Sequence, residues 1–245
     1  MARICLEICV DEAAGITAAV QGGADRIELC AALALGGLTP SVGGLALASE
    51  AGVATMVMIR PRAGDFIWSQ AEVRAMQAEI AATRAAGLAG VVIGASRGDG
   101  RLDTGVLAEL MAAARGMDVT LHRAIDLVPD IDEAMAQCRD LGIGRVLSSG
   151  GAVTAEAGLA RLAQMARSGI TVMPGGGVSA QNAARFAAAF DLREIHASAS
   201  VAKPEAQDAK VRAFGFQPEG ARATDVDRVR ALRRALDQIG APPLG

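Results

Sequence analysis

The sequence predicts a single-domain α/β protein, a closed (β/α)8 barrel of the TIM type, on three observations. Eight short apolar runs recur between residues 4 and 198, with starts roughly 22 to 36 residues apart, the length that a strand, a helix and two turns need. The segments between them carry helix-start residues followed by Ala-rich stretches that end on glycine. No linker-like change of composition divides residues 1–200, so one domain is expected over 1–245. A flavodoxin-like open sheet is the alternative, but eight units without a visible reversal of strand order favour closure.

The strands are expected near residues 4–9, 26–30, 55–60, 90–95, 118–122, 145–149, 170–174 and 194–198. Residues 36–52, "GGLTPSVGGLALASEAG", give only a short, glycine-diluted helix after the second strand. Ser69 and Glu72 in "SQAE" fit a capping box, Asp130 and Glu133 in "DIDE" fit a similar arrangement, and Thr104, Thr154 and Ser179 are the other expected N-caps. Gly87, Gly116, Gly142 and Gly169 each close a helix just ahead of the next strand. The polar stretch 203–223, with its two phenylalanines, reads as a long loop. A closing helix follows over 224–239, beginning at Thr224.

Composition excludes several function classes. The chain has 245 residues, 51% of them hydrophobic, and a net charge of −3 with only 2% aromatic residues. Neither the basic stripe nor the stacking platforms of a nucleic-acid binder are present. No apolar run approaches a membrane span, and the first strand begins almost at Met1 with no room for a leader, so a cytoplasmic protein is expected. The cysteines Cys5, Cys9, Cys30 and Cys138 show no CxxC spacing and should remain free thiols.

Barrel chemistry collects at the carboxyl ends of the strands, and side chains alternate between interior and helices. In "LEIC" and "DRIELC" the aliphatics Leu6, Ile8, Ile27 and Leu29 should face the helices, which sends Glu7, Cys9, Glu28 and Cys30 inward. Met58 and Arg60 share that parity, as do Thr120, His122, Glu194, His196 and Ser198, so both histidines reach the interior. Glu7 and Glu28 are expected side by side on adjacent strands, where two carboxylates repel unless a cation intervenes, and Arg60 is the expected cation. Glu7, Glu28, Arg60, His122 and His196 are therefore the candidate catalytic set. A purely structural acid–base network is the alternative, above all for Glu7. Cys5 and Cys138 read as small core fillers.

Two glycine clusters, "SSGG" at 148–151 and "PGGGV" at 174–178, end the sixth and seventh strands, where barrels commonly bind phosphate. Ser149, Gly150, Gly176 and Gly177 are the expected backbone donors to an anion, with Arg60 and Arg62 of "RPRAGDF" placed to grip a carboxylate or phosphate. Tight turns, and local pairing of Arg62 with an acid such as Asp65, are the plainer alternatives.

The strings "LEICV", "ADRIELCA", "GGLTPSVG", "MIRPRAGDF", "TLHRAID", "VLSSGG" and "EIHASAS" resemble, in order and spacing, the copper homeostasis protein CutC family over residues 4–200. The resemblance implies a cytoplasmic β/α barrel that forms homo-oligomers (a dimer or tetramer) and an association with copper. The corresponding thiols are Cys9 and Cys30, a conceivable Cu(I) set with Met58. Some members carry a second adjacent cysteine where this chain has Val10. Copper association stands first among the expected functions. An enzyme of isomerase, lyase or aldolase type acting on a small phosphorylated or carboxylated metabolite stands second, without Schiff-base chemistry because no lysine lies on these strands. A non-catalytic binding scaffold is the third.

Overall fold

The computed structural model describes residues 3–240; residues 1, 2 and 241–245 of the expected domain lie outside the described residues. Eight strands, β1 (Cys5–Val10), β2 (Arg26–Leu29), β3 (Ala54–Met58), β4 (Gly90–Ile93), β5 (Asp118–Leu121), β6 (Arg145–Ser148), β7 (Thr171–Pro174) and β8 (Glu194–Ala197), form one parallel sheet in the order β7-β6-β5-β4-β3-β2-β1-β8. The edge strands β7 and β8 lie against one another and bring the sheet round to a barrel. An open sheet with a strand-order reversal is therefore excluded.

The outer layer is α1 (Ala13–Gly22), α2 (Val42–Ser49), α3 (Gln70–Ala85), α4 (Thr104–Ala113), α5 (Ile131–Asp140), α6 (Leu159–Ala166) and α7 (Ala183–Ala189). Strand residues of one parity, among them Leu6, Ile8, Ile27, Val57, Val91, Leu121 and Ile195, are buried against helix residues such as Ile16, Met76, Leu107, Leu162 and Phe186. Each such aliphatic side chain contributes roughly 1.5–3 kcal/mol on full burial, which is why the alternation in the sequence decides what is left to face inward.

The caps show where local sequence is decisive. Ser69 and Glu72 close a reciprocal capping box on α3, and the Asp130 carboxylate accepts the Asp132 and Glu133 amides at the start of α5. Helix α4 is capped by Asp103, one residue ahead of the expected Thr104. Helices α6 and α7 begin several residues after Thr154 and Ser179, because the chain after β6 and β7 is first committed to the loops of the barrel mouth. Thr154 instead accepts the Ala157 amide in a turn ahead of α6.

After β8 the chain forms β9 (Ser200–Ala202), α8 (Ala209–Ala213), β10 (Arg222–Thr224) and α9 (Val226–Gly240). Strands β9 and β10 pair antiparallel, so part of 203–223 is ordered as a hairpin arm, a pairing that three-residue polar strands do not announce. Thr224 ends β10, and the Asp225 carboxylate accepts the Arg228 amide at the start of α9. Val229, Leu232 and Leu236 seat α9 in the core, and Arg233 ties it to the barrel base through Asp25 and the Ile4 carbonyl.

Candidate functional site

Register determines which inward groups meet. Glu7 lies opposite Arg26 on one side and His196 on the other, while Cys9 lies opposite Glu28. Glu7 and Glu28 thus sit one layer apart, not side by side as expected. The cation that serves Glu7 is Arg26, not Arg60: Arg26 Nε reaches Glu7 Oε2 at 2.5 Å, and its Nη2 pairs with Glu194. Arg145 continues the chain to Glu194 at 2.6 Å and Asp118 at 2.8 Å. This alternation of acid and base fills the barrel base. Burial raises the Glu7 carboxyl, but the His196 hydrogen bond and the Arg26 charge outweigh it and hold Glu7 at about 2.

Above that base the groups change character. His196 Nδ1 donates to Glu7 Oε1 at 2.8 Å, and its Nε2 stands 3.7 Å from Glu28 Oε2. Burial alone lowers the imidazole, but the Glu28 charge outweighs it and lifts His196 well above its ordinary value. Burial likewise raises Glu28, against the pull of His196. The imidazole is thus favoured in its protonated form between Glu28 and the ionised Glu7. Cys30 Sγ donates to Glu28 Oε2 at 3.6 Å, and burial and the Glu28 charge push its thiol well above the ordinary range.

His122 occupies the far wall. A Cβ at Gly94 would come within 2.1 Å of the His122 ring, so only glycine leaves room for it. Its Nδ1 accepts the Ala124 amide at 3.1 Å, which places the ring proton on Nε2, and Nε2 has no partner among the described residues. Burial and the Arg60 charge depress His122 to about 3, so it stays neutral. The Phe66 ring packs 4.7 Å from it and 5.1 Å from the Arg60 guanidinium carbon.

Arg60 is 6% exposed, and its guanidinium donates to the carbonyls of Leu35, Gly37 and Gly64. Among the described residues it has no carboxylate partner, and its Nε is unpaired. Burial and the charge of Arg62 lower its pKa. A buried cation held by neutral carbonyls is an uncompensated charge. Glu28, Arg60 and His122 all line one cavity of about 350 Å³ at the mouth, with Cys9, Arg123 and His196 also in its wall.

The expected anion loops divide. The Ser149 amide donates to Asp126 and the Gly150 amide to the Ser148 hydroxyl, so neither is free for a ligand. The anion already on that loop is the protein's own Asp126, which also takes the Gly151 amide and Arg123. Gly176 and Gly177 line the cavity with left-handed φ of 99° and 75°. Their amides, and that of Val178, donate to no acceptor among the described residues. Arg62 turns away from the mouth, pairing with Glu72 at 2.5 Å and Asp65 at 2.9 Å and stacking on Trp68.

Three side chains were missed by the sequence reading. Arg26 shares the parity of Glu28 and Cys30 and was legible on that ground. Arg123 and Phe66 lie in a 3-10 turn and a loop, where strand alternation carries no signal.

The donors that converge for a metal ion are Cys9, Glu28 and His196, all buried, with ligand atoms within 4.8 Å of one another. Cys30 is not in that group. One thiol, one imidazole and one carboxylate suit a borderline divalent ion better than Cu(I), which favours soft sulfur donors.

Comparison with known proteins agrees with the motifs. A relative from Agrobacterium fabrum, named a family protein CutC, is 50% identical over 94% of this chain and 93% of its own. One of the same name from Rhizobium meliloti is 49% identical over 98% of this chain and 99% of its own. The crystal structure of a Streptococcus agalactiae protein, provisionally named copper homeostasis protein CutC, superposes with a TM-score of 0.75 at 28% identity, covering 80% of this chain and 98% of its own. The CutC family profile matches residues 4–201, and with these relatives it shows that the chain belongs to the CutC family.

Proposed function

We propose that the protein is an enzyme that moves a proton at the carbon next to a carbonyl in a small anionic metabolite. The observation that carries this reading is one cavity walled by an uncompensated buried Arg60, an unpaired His122 Nε2–H and an unpaired Glu28 Oε1. Arg60 holds the anionic group. The Glu28 carboxylate, its basicity raised by burial and its proton exchangeable with His196, removes the proton from carbon. The electron pair moves onto the carbonyl oxygen, where the neutral His122 donates from Nε2, and the proton returns to the neighbouring atom. With no lysine in the cavity wall, this proceeds without a Schiff base.

The test is proton exchange. The protein is incubated in D2O with a panel of phosphorylated and carboxylated hydroxy- and keto-acids, and loss of the Cα–H signal is followed by NMR. Exchange is expected with at least one acid, abolished by Glu28→Gln and slowed about 10²-fold by His122→Asn. No exchange with any member overturns the reading.

A second reading, metal handling, is favoured by the Cys9, Glu28 and His196 cluster. With Nδ1–H given to Glu7, His196 would present Nε2 as the ligand atom. In a chelator competition with Cu(I) and Zn2+, this reading requires that Cys9→Ser weaken binding and Cys30→Ser leave it unchanged. A loss caused by both substitutions would restore the thiol pair as the copper site. Homo-oligomerisation and a cytoplasmic location rest on the family resemblance. Light scattering, which should give twice or four times the 24.9 kDa chain mass, checks the first.

A further inference from the structure

A second cavity, about 680 Å³, adjoins the first beneath the loops after β7 and β8 and shares Gly177, Val178 and Ser198 with it. Its wall holds Arg222 and Arg228, three serines and no acid. Arg222 is oriented by Ser200, donating from Nε to the hydroxyl at 2.9 Å and from Nη2 to the carbonyl. Neither arginine forms an ion pair among the described residues; the Asp225 carboxylate accepts the Arg228 backbone amide and is not part of the wall. The backbone amides of Gly177, Val178, Ser198 and Ala199 donate to no acceptor among the described residues. Ala199 is held at a φ of 42°, a left-handed conformation that a residue with a Cβ rarely adopts.

Two arginines, hydroxyls and unpaired amides, with no carboxylate among them, form the chemistry that receives a tetrahedral dianion. The place also matches, since β/α barrels take phosphate on the loops after the seventh and eighth strands. The geometry points to a phosphate subsite formed by Arg222, Arg228 and the Gly177–Val178 and Ser198–Ala199 backbone. It is joined to the mouth cavity, so that the substrate is a small phosphorylated hydroxy- or keto-acid. Its carboxylate lies on Arg60, its reacting carbon beside Glu28 and its phosphate in the second cavity. This assignment of substrate class rests on the enzyme reading above, whereas the phosphate seat stands by itself. Both arginines follow residue 201, where the family match ends, so the cations of the seat come from the chain's C-terminal arm and its backbone donors from the barrel loops.

The experiment titrates inorganic phosphate and, separately, oxalate against the full chain at constant ionic strength, reading melting temperature and Kd. Four proteins are compared: the parent, Arg228→Ala, Arg222→Ala/Arg228→Ala and Arg60→Ala. Phosphate should bind the parent and Arg60→Ala alike, and at least about tenfold more weakly to Arg228→Ala. Oxalate should lose affinity only in Arg60→Ala. If phosphate fails to bind the parent, or binds Arg228→Ala and the double variant undiminished, the subsite is overturned while the oxalate arm still reads Arg60. If oxalate is insensitive to Arg60→Ala, the anion contact of the enzyme reading fails while the phosphate seat stands. Arg228 is exposed and its side chain makes no hydrogen bond or ion pair among the described residues, so loss of folding does not confound its substitution.

Discussion

Arg26 shows how much can hang on one residue. It bridges Glu7 and Glu194 at the barrel base, and removing it leaves the buried Glu7 with His196 alone and the half-buried Glu194 with Arg145 alone among the described residues. Arg26→Ala should therefore cost about 3–5 kcal/mol in urea unfolding, whereas Arg62→Ala, which breaks solvent-screened pairs, should cost far less. Equal costs would show that burial does not set the value of these pairs. His122 gives a pH dependence whose sign is determined. Its folded pKa of about 3 lies below the ordinary 6.5, so between those values the unfolded chain binds more protons than the folded one. Stability should fall as the pH drops below 6.5 and go on falling toward 3. His122→Asn keeps an acceptor for the Ala124 amide, lacks the titration, and should flatten that limb in a melting-temperature series from pH 8 to 5.

At the scale of the element, the loop after β6 is organised by an acid from a different unit. Asp126 accepts the Ser149 and Gly151 amides and the hydroxyls of Ser148 and Ser149, and it orients Arg123. These bonds hold Asp126 below the usual carboxylate range despite its burial. Asp126→Asn turns two acceptor oxygens into one and sets an N–H against donors, at a cost of about 2–3 kcal/mol. Faster hydrogen exchange at Ser149 and Gly151, with the β1 and β2 amides unchanged, would confirm that the damage is local. Exchange that rises uniformly would mean that the loop is part of the global fold. The same commitment of residues 149–158 explains why α6 begins at Leu159 and not after Thr154.

For the whole molecule, the barrel joins a rigid charged base to a mouth with unsatisfied groups. Buried unpaired atoms on Glu28, Arg60 and His122 are a cost that a ligand can relieve. An anion bound at 100 times its Kd stabilises the folded state by about 2.7 kcal/mol, or about 5–11 °C in melting temperature for a chain of this size. Arg60→Ala should erase the gain for a carboxylate. No described helix is long and apolar enough to cross a membrane.

The eight units, the helix-facing aliphatics, the capping box at Ser69 and the inward aim of Glu7, Glu28, His122 and His196 were all legible in the sequence. Alternation and capping are local, with periods of two to four residues. The pairing of those inward groups was not legible, because it depends on the stagger between strands. A shift of two residues exchanges Glu28 for Arg26 as the neighbour of Glu7, and nothing in "LEIC" or "DRIELC" states that offset. Arg60 was likewise placed inward correctly, but only the folded chain shows that three backbone carbonyls, and no carboxylate, surround it. The arginine cavity under the last loops is further still from local sequence. It forms only when a hairpin arm and α9, more than twenty residues past β8, fold back over Gly177 and Ser198. Periodicity determined the barrel and its inward face; long-range closure, which no local pattern encodes, decided which charges are paired and which are left to meet a ligand.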